Sequence, residues 1–138
     1  MNKKMELRQK VWLKYNKHCA YCGKELEYKD MQIDHMISKY AIEAYRNPEK
    51  IFGSDFILDS FSNLMPSCRR CNHYKREQDL EGFRILMKTL HERIENQYIM
   101  KVAIDYKILK IKPFGGKFYF EKVSNIDYKN IRNIILKE

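Results

Sequence analysis

A chain of 138 residues is one domain's worth of protein, with room for a small appendage. Its 44% hydrophobic and 33% charged content excludes a disordered chain, and no run approaches the roughly 18 apolar residues of a membrane span. Lys and Arg number 27 against 18 Asp and Glu, so the net charge is +9; that balance points to nucleic acid first and an anionic membrane surface second.

The opening MNKKMELRQK has no apolar signal stretch, which predicts a soluble, cytoplasmic protein. Leu7, Val11 and Tyr15 fall four apart beside Trp12 and predict an amphipathic helix over 5–16. A first C-x-x-C turn, Cys19 to Cys22, follows with Gly23 behind it. Lys29-Asp30 between two mixed runs predicts a β-hairpin over 25–37. From Lys39 to Ser62 a weak helical pattern is broken by Asn47-Pro48 and Gly53-Ser54, as in a surface insertion. Asn63-Leu64-Met65-Pro66 leads into the second C-x-x-C turn, Cys68 to Cys71, and Asn72–Glu77 opens a helix. Leu80, Phe83, Met87, Leu90 and Ile94 recur three and four apart and predict one further helix. Lys112–Gly116 reads as a turn, Lys117–Val123 as an aromatic-rich strand, and Ile126–Leu136 as a short closing helix.

The cysteines are the strongest chemical signal. Two C-x-x-C pairs stand 45 residues apart, and without a secretory signal a reducing compartment disfavours disulfides. A two-residue gap lets both thiolates of a tight turn face one ion, and two such turns complete the closed tetrathiolate of structural zinc. Four unrelated buried cysteines would not repeat the spacing, and a redox pair would leave one motif unused. Cys19, Cys22, Cys68 and Cys71 are therefore the expected zinc ligands. Around the second pair, Arg69, Arg70, Lys75 and Arg76 face only Glu77 in the stretch 63–78. This basic run is the candidate phosphate-binding surface.

The order of the remaining pieces adds a resemblance. C-x-x-C, then Asp34-His35, then Asn63-Leu64, then C-x-x-C followed at once by Asn72 with Lys75 three further on, resembles the HNH endonucleases, the ββα-metal nucleases, in their tetracysteine zinc subclass. The likeness spans Cys19 to Arg76. It implies a zinc-stapled ββα core; with that core and the helix ahead of it over 1–78, and a C-terminal extension over 79–138 carrying the strand read above, the expected fold is α+β with flanking helices. It implies metal-dependent hydrolysis of DNA to 5′-phosphate and 3′-hydroxyl ends. His35 is then the general base, Asn63 the residue that fixes the loop and orients it, and Asp34 with Asn72 the holders of one divalent cation. Hard oxygen donors suit magnesium or manganese there. His73 is an alternative ligand to Asn72.

Two features depart from the family pattern: Asn72 stands where His is common, and the proline and paired glycines after the Asp-His step are missing, with the Lys39–Ser62 insertion in their place. The family also serves nicking, double-strand, homing and restriction enzymes, so the resemblance does not imply a particular substrate site. In a regular strand Asp34 and His35 point to opposite faces, so both reach one site only if the strand ends, twists or bulges there. The rival expectations are a non-catalytic zinc module that binds DNA or RNA, and an HNH-like subunit of a larger complex. A protein partner or a second copy stays open.

Overall fold

In the computed structural model, residues 2–43 and 58–124 are described. Helix α1 (Lys3–Leu13) starts where the Asn2 side chain accepts the Met5 amide at 2.9 Å. It ends in a left-handed turn, with Asn16 at φ 54°. The amide of Asn16 bonds the carbonyl of Leu13 and that of Lys17 bonds Trp12, the paired closure that satisfies the last helical carbonyls. Val11 is buried, and the indole of Trp12 donates to the Leu26 carbonyl at 2.9 Å.

Strand β1 (Gln32–His35) pairs antiparallel with β2 (Leu64–Ser67), Gln32 opposite Ser67 and His35 opposite Leu64. The predicted hairpin over 25–37 does not form: Tyr28–Asp30 makes a single 3-10 turn, and β1 finds its partner beyond the insertion. The reason lies in the backbone groups of the stretch before β1. Leu26 is bonded to Lys17 and Trp12, and the guanidinium of Arg8 takes the carbonyls of Tyr28 and Met31, so these groups are not free to pair with β1.

After a short helix α2 (Lys39–Glu43), begun by the Ser38 hydroxyl accepting from Ala41, the description resumes at Leu58. The greater part of the predicted insertion, and the predicted helix over 126–136, lie outside the described residues. Helix α3 (Arg69–Lys75) follows β2 directly and packs on β1, while α1 packs against β2. The described residues thus form an α+β arrangement with a two-stranded sheet.

The chain divides into two compact units: Met1–Asp79 with Phe118–Glu138, and Leu80–Lys117. The second is helical, with α4 (Leu80–Lys88), α5 (Leu90–Glu95) and α6 (Tyr98–Asp105). The single helix expected across Leu80–Ile94 is split at Thr89, whose hydroxyl bonds back to the carbonyls of Ile85 and Leu86.

The expected strand over 117–123 is instead helix α7 (Tyr119–Ser124), and it belongs with the first unit rather than with the extension. Its alternating aromatics imitate a strand, but Phe118 and Phe120 stack on each other and both rings meet Tyr21 edge-on. Glu121 accepts the Phe118 amide at 2.9 Å, and the amides of Tyr119 and Phe120 bond the carbonyls of Tyr21 and Ala20. The open amides of the first helical turn are satisfied from the first cysteine turn.

Candidate metal centre and the polar site beside it

The first cysteine turn is closed by backbone bonds, Cys19 to the Lys24 carbonyl at 2.7 Å and Gly23 to the Cys19 carbonyl at 3.0 Å. Gly23 has φ +82°, and a Cβ there would lie 2.8 Å from the Tyr119 ring, so only glycine fits on both counts. The second turn is the start of α3, with the Cys68 sulfur accepting the Cys71 amide at 3.3 Å as the helix cap. A backbone link joins the two turns, from the Ala20 amide to the Pro66 carbonyl at 2.8 Å.

All four sulfurs consequently lie within 4.8 Å of one another, and Cys22 and Cys68 are 3.9 Å apart sulfur to sulfur. Zinc–thiolate bonds of about 2.3 Å set the edge of a tetrahedron at about 3.8 Å, so the donor set fits one zinc ion. The Cys68 amide also donates to the Cys19 sulfur at 3.3 Å, an arrangement that favours charged sulfur. Thiol hydrogen bonds from Cys22 and Cys71 hold Cys19 far below the usual thiol range. Its bond to Cys19 pushes Cys22 up to about 11, and bonds to Cys19 and Cys22 push Cys71 higher still. A zinc ion bound at this cluster would have to displace the protons these raised thiols carry.

Beside the cluster, β1 runs in unbroken register through His35, so Asp34 and His35 project to opposite faces. Asp34 faces inward and is buried with Lys75 and Tyr21. Its Oδ2 accepts the Tyr21 hydroxyl at 2.5 Å and lies 3.1 Å from the Lys75 ammonium, which also donates to the His35 carbonyl at 2.9 Å. Burial lifts the Asp34 carboxyl above its ordinary value, against the opposing pull of Lys75 and Tyr21. Burial also lifts the Tyr21 hydroxyl, helped by the charge of Asp34.

His35, partly exposed, places Nε2 2.7 Å from Oδ1 of Asp59. Asn63 is wholly buried, and its side chain accepts the Ile37 amide at 2.9 Å while donating to the carbonyls of Ile37 and Leu58. It pins the backbone just after His35. Asn72 donates to the Gln32 side chain at 2.9 Å.

The side chains of Asp34, His35 and Asn72 thus each meet a different partner. As arranged, Asp34 and Asn72 do not fit a divalent cation: an ammonium already stands at the Asp34 carboxylate, and a second cation would have to displace it. Lys75 needs correction as a phosphate contact. It is 0% exposed, because α3 ends on it and turns it under the sheet, and Arg76 leaves the helix at φ 55°. The exposed charge is that of Arg69, Arg70 and Arg76. Arg69, Arg70, His73 and Lys24, with the acids Glu25 and Asp30, line a groove of about 620 Å³ beside the second turn.

Three residues of this site escaped the sequence reading. Tyr21 was within reach, since it sits inside the first C-x-x-C turn and a buried hydroxyl needs a partner. Asp59 and Gln32 carry no motif; only the folded chain brings them to His35 and Asn72. Among the described residues no helix is long and apolar enough to cross a membrane. Against models of protein families, curated proteins and solved structures, the chain matches none.

Proposed function

We propose that the unit of β1, β2 and α3 is an endonuclease of the HNH kind that hydrolyses phosphodiester bonds of DNA, with His35 as general base. The observation that supports this reading most is His35 itself. It ends strand β1 at the end opposite Leu64, stays partly open to solvent, and its following backbone is clamped by the buried Asn63. An imidazole so held has a ring nitrogen that can serve as general base toward a water molecule. Arg69, Arg70 and Arg76 supply positive charge for the phosphate backbone. Zinc is structural here, and a magnesium or manganese ion enters only through the resemblance, since Asp34 is occupied by Lys75.

A second reading, a non-catalytic zinc module that binds nucleic acid, is favoured by that same closed Asp34–Lys75 pair. Zinc-loaded protein incubated with supercoiled plasmid, with magnesium, with manganese or with neither, separates the two. The nuclease reading expects nicked or linear product, and His35→Ala slows its formation on the order of a hundred- to ten-thousand-fold while zinc content and DNA binding stay unchanged. Plasmid that is bound but left intact in every metal establishes the second reading.

A further inference from the structure

We infer that Asp59 is a positioning residue for His35, and that it leaves Nδ1 as the ring atom that takes the proton. An ionised carboxylate only accepts hydrogen bonds, so the 2.7 Å contact from Nε2 to Oδ1 of Asp59 places the ring proton on Nε2. In the neutral imidazole the lone pair is then on Nδ1. An isolated surface contact of this kind would carry little weight, but this one is built from beneath. The buried Asn63 side chain holds Ile37, two residues after His35, and Leu58, the residue before Asp59, so one amide sets both ends of the pair. The carbonyl of His35 is held separately by the Lys75 ammonium. The backbone beside each partner is therefore held, and the partly exposed ring meets a carboxylate that is itself 78% exposed, 24 residues away in the chain.

The consequence for chemistry rests on the nuclease reading. A water proton would pass to Nδ1 as the water oxygen bonds to phosphorus. The 3′ oxygen would leave with the electrons of the broken bond and take a proton from solvent. Asp59 touches neither water nor phosphate in this scheme; it stops the ring from turning and presenting the protonated nitrogen.

The test uses zinc-loaded protein and reads the imidazole directly by nitrogen-15 NMR, with the His35 signals identified by their loss in His35→Gln. The expected result is a hydrogen-bonded proton on Nε2 in wild type, resolved because its exchange with water is slowed, and its loss in Asp59→Ala. In the plasmid assay Asp59→Ala should lower kcat by roughly ten- to a hundredfold with KM unchanged, the usual scale for an orienting partner. A proton found on Nδ1 in wild type overturns the inference, as does an Nε2 signal that persists in Asp59→Ala. Equal kcat in an active enzyme also overturns it. If wild type cuts no plasmid in any metal, the nuclease reading fails, and the NMR result still decides the role of Asp59.

Discussion

Lys75 is the residue whose position says most about the first unit. An ammonium without solvent contact is tolerable only with a counter-charge and oxygen acceptors, and Asp34 and the His35 carbonyl provide both. Lys75→Met should therefore cost about 3–5 kcal/mol, since it strands a buried carboxylate; urea unfolding of the zinc-loaded protein measures it. The pH dependence has an unusual sign. Burial raises the Asp34 carboxyl above its ordinary 3.8, so the folded chain keeps a proton that the unfolded chain has already released. Stability from this group is full below the ordinary carboxylate range and is lost as pH rises through the raised folded value. Asp34→Asn removes that slope. Unfolding midpoints taken across the acid range should shift in favour of the variant as pH climbs, and a constant difference would show that Asp34 titrates as it does in water.

At the scale of elements, what could be read from the chain followed from how local each signal is. The paired cysteines were legible because two residues of spacing already dictate a two-ligand turn. A helix was legible near the start, but not its amphipathic spacing: of Leu7, Val11 and Tyr15 only Val11 is buried in α1, Leu7 is exposed and Tyr15 lies beyond the helix end. Neither α7 nor the β1–β2 pairing was legible as such, because each is decided by a distant partner: the carbonyls of Ala20 and Tyr21 for α7, and Leu64–Ser67 for β1. Of the polar site, His35 and Asn63 could be named from motif order, but the inward turn of Asp34 depends on Lys75 and Tyr21 closing over it. The cysteine turns knit these elements together, which gives a prediction at this scale. Cys68 is at once one of the four clustered sulfurs and the cap of α3, so Cys68→Ala should weaken zinc binding and loosen α3 with it, seen as lost helical circular dichroism. In the wild type, zinc affinity should fall as pH falls, because the raised thiols of Cys22 and Cys71 must release their protons to bind. Competition with a chelator at several pH values reads this directly.

For the molecule as a whole, a surplus of +9 favours any encounter with a polyanion, and the fold decides which charges are exposed to one. With Lys75 withdrawn into the core, Arg69 and Arg70 carry the groove beside the second cysteine turn. Reversing both to Glu should weaken binding to unrelated DNA sequences about equally and flatten the dependence of affinity on salt. An unchanged salt slope on titration of a fluorescent duplex would place the phosphate contacts on another face.

The aromatic cover that α7 lays over Tyr21 has a consequence for the order in which the protein is made. Phe118 and Phe120 leave the ribosome only after Leu80–Lys117, long after the last cysteine. Synthesis is slow beside the closing of a short turn, so all four thiolates are available to zinc while Tyr21 still lacks the rings that bury it. During that interval a metal ion held by the four sulfurs would be the clasp between the two cysteine turns, before the aromatic cover is in place.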